Sequence, residues 1–323
     1  MNARQYPWAL VIFACRESLP QLLQTLDAAL VSAASCAVVD VLVNGNPPLA
    51  SALATELSRR QTTSAGLVAN PAIRIWSIAL GDKANAWNQY IHRIWADEEL
   101  AFFIDGYVRL NPDAVALLGH AVVANTQALS GTGVPTMGRS AKALREDLIT
   151  NTGFHGNFCC IKGQTIQQMR DQSIRLPVGL YRTDSLMGAI LSYALDPGEH
   201  VWEDHRIHVH PGASWQIDPA KWWRAKDLLA YAKRIFRQHR GKLENAAFAD
   251  HLVNRLCSPA KLPATARAMV LEWVGRCPDD YARLARKHFF IRHVLKSFQS
   301  DQLDATMGLD PHIVWQREPN QHT

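Results

Sequence analysis

Four apolar segments, each followed by a segment with helical periodicity, constrain the fold of this chain more than any other feature. They are residues 8–14 (WALVIFA), 38–43 (VVDVLV), 73–80 (IRIWSIAL) and 100–104 (LAFFI). Continuous apolar runs of this length are typical of strands that are buried on both faces of a parallel sheet. Because the strands alternate with helices, we predict an α/β fold with a mainly parallel, Rossmann-like central sheet and helices on both faces.

The composition of the chain supports a core of that size. Of the 323 residues, 48% are hydrophobic and 20% are charged, which excludes a disordered chain, a collagen and a coiled coil. After about residue 140 the pattern changes to a loop, a short strand and a helix, which we interpret as the completion of the same domain. We therefore predict a first domain over residues 1–218 and a mainly helical C-terminal region over residues 219–323.

The candidate functional residues follow the predicted strands directly. Ligands of open parallel sheets bind at the carboxyl ends of the strands, which here lead into residues 15–17, 44–46, 81–83 and 105–107. The sequence has no GxGxxG after its first strand and no GxxxxGKS or GxxxxGKT, so it lacks the two commonest phosphate-binding loops. This absence argues against a dinucleotide-dependent dehydrogenase and against a P-loop nucleotide hydrolase.

Six segments of the chain carry polar residues in a particular order. The segments are VIFACRESLPQLLQTLDAAL with Glu17, VLVNGN with Asn44, GDKANAWNQYI with Lys83 and Asn88, FFIDGYVRLNPDAV with Asp105, GNFCCIKGQTIQQM, and LYRTDSLMGAIL with Asp184. In this order they resemble the segments of the family 2 glycosyltransferases, which have the GT-A fold, and the resemblance covers about residues 8–215. It implies an enzyme that transfers a sugar from a nucleotide-sugar donor to a hydroxyl group of an acceptor, with inversion at the sugar carbon.

The resemblance also implies a role for each of these polar residues. Asp184 would be the catalytic base that takes the proton of the attacking hydroxyl group. The donor-binding residues would be Glu17, Asn44, Lys83, Asn88 and Asp105.

Ordinary structural roles for the same residues stay open. Asp105 is also suited to a turn at the end of its strand, and Asp184 to the first turn of a helix. Lys83 would then be a solvated surface charge, and Asn88 only a polar helix position.

Two departures from the family pattern concern the metal and the base. Tyr107 stands where the family has the second acid of its DxD motif, and Thr183 replaces the usual glutamate before the base. A divalent cation, Mn²⁺ or Mg²⁺, would then be held by Asp105 together with an imidazole. His208 and His210 alternate with apolar residues and so share one face of a strand, although a purely structural role for both stays open. The alternative is activity without a metal ion, with Lys83 neutralising the diphosphate.

A basic amphipathic segment lies at residues 221–242. It contains eight Lys or Arg residues against the single acid Asp227, and it begins with Trp222 and Trp223. Such a helix suits the surface of an anionic membrane, and the alternative is a packed helix with a solvated basic face. Nucleic acid is disfavoured because the charge is confined to one segment.

The remaining sequence features concern location. We recognise no signal peptide and no membrane-spanning segment, and the six cysteines show no CxxC spacing. We therefore expect a cytoplasmic protein without a zinc site, either free or peripheral at the inner face of the membrane.

The acceptor is expected to be a lipid-linked or small-molecule hydroxyl compound. Two other functions stay open. One is a degenerate, non-catalytic GT-A protein that binds nucleotides or acts as a scaffold, which the tyrosine at position 107 would support. The other is a sugar nucleotidyltransferase, which is disfavoured because residues 14–20 (ACRESLP) contain no glycine.

Overall fold

The structure of the protein is a computed structural model that describes residues 6–63, 71–137, 140–218, 225–300, 303 and 310–318. In this part of the chain, nine strands form one sheet with the order β5-β8-β6-β7-β4-β1-β2-β3-β9. The strands are β1 (Tyr6–Ala14), β2 (Cys36–Asn44), β3 (Ala72–Ile78), β4 (Leu100–Asp105), β5 (Arg109–Leu110), β6 (Ser130–Met137), β7 (Phe158–Lys162), β8 (Ile207–Gln216) and β9 (His312–Arg317).

The centre of the sheet is parallel. β1 pairs in parallel with both β2 and β4, and β2 pairs in parallel with β3. These are the four strands that the apolar runs predict. The predicted α/β fold class, with a mainly parallel central sheet and helices on both faces, is confirmed.

The outer strands introduce antiparallel pairing. β7 lies antiparallel between β4 and β6, and β9 lies antiparallel along the outer edge of β3, with Trp315 opposite Ile75. The expectation of a mainly helical C-terminal region missed β9. Its three apolar residues, Ile313, Val314 and Trp315, are only partly buried, as suits a strand at the edge of a sheet.

Helices cover both faces because successive side chains of a strand point to opposite sides. Leu10 and Ile12 of β1 pack on the side of the first, second and fourth helices, while Val11 and Phe13 face the third helix and most of those in the second half of the chain. The helices are α1 (Leu19–Ser32), α2 (Pro47–Thr63), α3 (Lys83–Gln89), α4 (Ala114–Ala124), α5 (Ala141–Asn151), α6 (Gly163–Asp171), α7 (Thr183–Ser192), α8 (Ala225–Ala249), α9 (Ala266–Arg276), α10 (Pro278–Lys287) and α11 (Ile291–Ser300).

Two of these helices hold the elements around the carboxyl ends of the strands. Asp82 caps α3, because its Oδ1 accepts a hydrogen bond from the backbone N–H of Asn85 at 2.8 Å. α8 packs against α7, α9 and α11, so the second half of the chain is built onto the Val11 and Phe13 face of the sheet. Among the residues described, no helix combines the length and the apolar composition needed to cross a bilayer.

Candidate active site at the carboxyl ends of the parallel strands

A cleft of about 390 Å³ opens where β1, β2, β3 and β4 end. We refer to it as the strand-end cleft. Four of the residues proposed to bind a donor line it together, namely Glu17, Asn44, Lys83 and Asp105. The opposite wall comes from residues 179–181, before α7, and from Phe236, Arg237 and Arg240 of α8.

The base of the strand-end cleft depends on a close approach of two loops. Gly45, after β2, has a φ of +66°, which favours glycine. A Cβ on Gly45 would lie 2.3 Å from the Cα of Gly81, after β3. The Asn44 side chain is buried and donates a hydrogen bond from Nδ2 to the Ala14 carbonyl at 2.8 Å, which fixes the end of β2 against the end of β1.

Glu17 organises the loop between β1 and α1. Its Oε2 accepts hydrogen bonds from the backbone N–H groups of Cys15 at 2.6 Å and of Arg16 at 2.9 Å. This carboxylate is therefore held at the cleft wall by two main-chain donors.

Both carboxylate oxygens of Asp105 have side-chain partners in the strand-end cleft. The Lys83 ammonium pairs with its Oδ1, and the Tyr107 hydroxyl group donates to its Oδ2 at 2.8 Å. Only 13% of the Asp105 side chain is exposed. Burial acts to lower the pKa of Lys83, but the nearby Asp105 and Asp184 carboxylates outweigh it and raise that pKa above its ordinary value. Lys83 therefore carries a stable positive charge inside the cleft.

Asp184 lies beside this pair, in the first turn of α7. A Cβ on Gly156 would lie 3.3 Å from the Lys83 Nζ and 3.4 Å from the Asp184 Cβ, so both side chains meet at the same bare backbone. The Asp184 Oδ1 accepts a hydrogen bond from the Ser185 N–H at 3.0 Å. The structure thus places Asp184 next to Lys83 and also in the helix-start position of the alternative interpretation.

Three other predicted residues lie elsewhere. Asn88 is buried in α3, and its side-chain amide exchanges two 2.8 Å hydrogen bonds with the backbone of Leu176. These bonds connect α3 to the segment before α7. Asn88 lines a separate pocket of about 440 Å³ and does not reach the strand-end cleft.

The two histidines are also remote, which corrects the expectation that they join Asp105 around a cation. They lie on β8, three strand positions from β4, or about 14 Å at the usual strand spacing. By register, His208 lies level with Phe102, three residues before Asp105. His210 instead accepts hydrogen bonds at Nδ1 from the N–H groups of Gly212 and Ala213.

The sequence analysis missed the arginine wall of the strand-end cleft. Arg240 donates from its guanidinium to the Gly179 carbonyl at 2.8 Å and pairs with Glu244 at 3.1 Å. Glu244 is fully buried and also accepts the N–H groups of Tyr181 and Arg182, so it joins α8 to the segment that leads into Asp184. Burial raises the pKa of the Glu244 carboxyl group against the effect of these donors.

Arg237 and Arg240 belong to the basic segment 221–242. In the portion of that segment whose side chains are described, the two arginines face the cleft. A count of charges along the sequence does not show whether a basic residue faces a cleft or the solvent. The predicted membrane contacts of residues 221–234 lie outside the described side chains.

His155 is a second residue that the sequence analysis missed. Its ring stacks on Trp215 with centroids 5.3 Å apart, and its Nδ1 accepts a hydrogen bond from the Asn157 N–H at 3.2 Å. Burial and then Lys83 lower the pKa of His155, whereas Asp184 and Asp105 oppose this shift. The imidazole is therefore neutral at pH 7 with its proton on Nε2. The available signal was its place directly before the buried strand β7.

Comparison with known proteins identifies the fold. No family model and no curated protein matches the sequence. Among solved structures, the chain is similar to the mannosyltransferase PcManGT from Pyrobaculum calidifontis in complex with GDP-Man and Mn²⁺. The TM-score is 0.53 with 14% sequence identity, over 93% of this chain and 89% of that chain. The chain has a glycosyltransferase fold. The likeness extends over the sheet and the C-terminal helices together.

Proposed function

We propose that this protein is an inverting glycosyltransferase that moves one sugar from a nucleotide-sugar donor to a hydroxyl group of a lipid-linked or small-molecule acceptor. The observation that carries the proposal is that the Asp105–Lys83 pair lines the cleft at the carboxyl ends of the parallel strands, with Asp184 beside Lys83. Open α/β sheets bind their ligands at this edge. The glycosyltransferase fold supports the same conclusion.

The charges of the strand-end cleft suit a donor that carries a diphosphate. Lys83 lines one wall, and Arg237 and Arg240 contribute two more cations on the opposite wall. Guanidinium groups match the geometry of phosphate oxygens, and a cation next to the scissile bond stabilises the charge that develops on the leaving diphosphate. We assign nucleotide binding to the wall formed by Glu17 and Asn44.

Asp184 is the proposed base. The acceptor oxygen forms a bond to the anomeric carbon while the bond from that carbon to the diphosphate oxygen breaks, and the hydroxyl proton passes to the Asp184 carboxylate. His155 is less suited to this step because its Nδ1 already accepts a backbone N–H and its Nε2 carries the proton.

The residues of the cleft do not fit a divalent cation, although Mn²⁺ accompanies GDP-Man in the mannosyltransferase structure. Both oxygens of Asp105 are engaged, by Lys83 and by Tyr107. Burial and the Asp105 charge raise the pKa of Tyr107 far above its ordinary value, so the phenol offers no anionic oxygen. Within the described ranges, no group of three His, Cys, Asp or Glu residues could hold an ion. We therefore assign charge compensation to Lys83 and the two arginines.

The first experiment measures thermal stability with a panel of nucleoside diphosphates and GDP-mannose, each with Mn²⁺ and with EDTA. A ligand at 100 times its dissociation constant adds about 2.7 kcal/mol of stability, which such a screen detects. We expect stabilisation in EDTA as well as in Mn²⁺. Binding that appears only with Mn²⁺ would refute the assignment to Lys83.

The second experiment tests the base. We expect Asp184→Asn to lower the rate of sugar transfer by roughly 10²–10⁴, with donor affinity unchanged. Asp279→Asn is the matched control, because Asp279 is an exposed acid in the first turn of α10. An Asp184→Asn protein of wild-type rate and lower stability would assign Asp184 to the helix start instead.

Assays of donor hydrolysis and of diphosphate release separate the alternative functions. A degenerate scaffold would bind nucleotides without hydrolysing or transferring the sugar. A sugar nucleotidyltransferase would release diphosphate from a nucleoside triphosphate.

A further inference from the structure

The turn between α10 and α11, residues 288–290, displays an aromatic pair outside the strand-end cleft. The side chain of Phe289 is 89% exposed and that of Phe290 is 45% exposed. Phe289 is the most exposed of the large apolar residues described.

The surroundings of the aromatic pair are cationic. Between residues 281 and 300 the chain has five Lys or Arg residues and no Asp or Glu. Arg286 and Lys287 precede the turn, Arg292 follows it, and all three are exposed. These five residues lie outside the basic segment 221–242 in the sequence.

The turn is fixed to α8, so the aromatic pair is held in place. The Phe290 ring packs edge-on against His239 with centroids 5.5 Å apart, and Lys242 lies 3.1 Å from the ring nitrogens of His288. Phe290 therefore packs partly against the protein, whereas Phe289 extends into solvent. The centroids of the two phenylalanine rings are 5.4 Å apart, so they form one apolar tip.

We propose that the α10–α11 turn binds the surface of an anionic lipid bilayer, with Phe289 inserted among the lipids and Arg286, Lys287 and Arg292 at the headgroups. An apolar tip within a ring of cations fits this partner, because insertion gains hydrophobic burial and the cations gain attraction to anionic lipids. Nothing in this argument uses the side chains of residues 221–234, on which the sequence-based membrane prediction depends.

The position of the turn connects this surface to the candidate active site. His239, which packs on Phe290, is next to Arg240, which lines the strand-end cleft. The turn and one wall of the cleft thus share α8, so a bilayer bound at the turn would hold the protein, and with it the cleft, at the surface where a lipid-linked acceptor resides. That acceptor class rests on the proposed function, whereas the binding of lipid does not.

The test is co-sedimentation with vesicles of phosphatidylcholine alone or with 30% phosphatidylserine. We expect the wild-type protein to bind the anionic vesicles and to lose binding in high salt. Phe289→Ala should lower the partition coefficient about tenfold or more, as expected for a phenylalanine withdrawn from an apolar environment. Arg286→Gln combined with Lys287→Gln should lower it roughly 10–30-fold, from the attraction of each cation to the charged surface. Because these side chains are exposed, the variants should fold.

Two control variants and one competitor make the test specific. Val201→Ala changes an apolar residue outside the turn that is 71% exposed, and Lys142→Gln changes a lysine of α5 whose side chain is 91% exposed, so neither should alter binding. Absence of binding to anionic vesicles, or binding insensitive to Phe289→Ala, would refute the proposal. Binding of single-stranded oligonucleotides at these residues without vesicle binding would also refute it. Sugar-transfer activity is not part of the readout, so failure here leaves the proposed function standing.

Discussion

Glu244→Gln should destabilise the protein and disturb the candidate active site together. The Glu244 side chain is fully buried, with one oxygen 3.1 Å from the Arg240 Nε and the other 3.0 Å from the Arg182 N–H. Both oxygens face donors, so either orientation of a glutamine amide turns its NH₂ group toward an N–H. The substitution therefore removes one charge-assisted hydrogen bond and creates one donor-to-donor contact.

The size of the effect follows from these contacts. A hydrogen bond to a charged group contributes about 1.5–3 kcal/mol, and removal of one partner of a buried ion pair costs about 3–5 kcal/mol. Burial of the neutral glutamine is less costly than burial of the charged carboxylate, which offsets part of the loss. We expect a net decrease of about 2–4 kcal/mol in the free energy of unfolding. At about 2 °C per kcal/mol for a chain of this size, Tm should fall by roughly 4–8 °C.

Thermal unfolding followed by circular dichroism measures this change. Glu272→Gln is the matched control, because Glu272 is exposed on α9 and should change the free energy of unfolding by less than about 0.5 kcal/mol. The rate of sugar transfer should also fall in Glu244→Gln, since Arg182 is two residues from Asp184. A Tm within about 1 °C of that of the Glu272→Gln protein would contradict this reasoning. It would show that the hydrogen bonds from Tyr181, Arg182 and Arg240 do not require a charged acceptor.

Three further predictions concern the cleft and one half-buried histidine. Asp105→Ala should keep the fold but weaken donor binding at least tenfold by calorimetry; unchanged affinity would remove Asp105 from the donor site. Gly45→Ala should lower stability by about 1–3 kcal/mol in denaturant unfolding, because of its positive φ and the overlap with Gly81. Burial and then nearby arginines lower the pKa of His92 to about 4, although a hydrogen bond to the Ile174 carbonyl opposes this shift. In the unfolded chain, His92 binds a proton at a higher pH than in the folded protein. The contribution of His92 to the free energy of unfolding should therefore be complete above pH 6.5 and be lost as the pH falls toward 4. Tm of His92→Gln should vary less over that range, and an identical pH profile would contradict the assignment.

The sequence predicted the parallel centre of the sheet and the location of the cleft for one physical reason. Strands buried on both faces produce uninterrupted apolar runs, and the polar residues that follow them must meet at one edge. Lys83 and Asp105 therefore could be placed in the same cleft without knowledge of any side-chain contact. The same reasoning placed Asn44 there, although its amide also has a structural role that only the hydrogen bond to Ala14 reveals.

Other residues could not be placed correctly from the sequence, because their positions depend on contacts between distant parts of the chain. Asn88 has the periodicity of a helix face but bonds to Leu176, whose position is set by a distant part of the chain. His208 and His210 share a strand face as predicted, but the strand order that separates them from Asp105 is a property of the whole sheet. Arg237 and Arg240 appeared as part of a basic helix, and only the packing of α8 directs them into the cleft.

The pairing of β9 with β3 has a consequence for synthesis of the protein on the ribosome. β3 ends at Ile78 and its partner begins at His312, so at about 5–20 residues per second the outer edge of β3 waits roughly 10–50 s for that partner. During this interval the nascent sheet presents a row of unpaired backbone N–H and C=O groups at the edge of β3. Such an edge can pair with another chain, so the risk of aggregation through β3 is greatest before translation has passed residue 317.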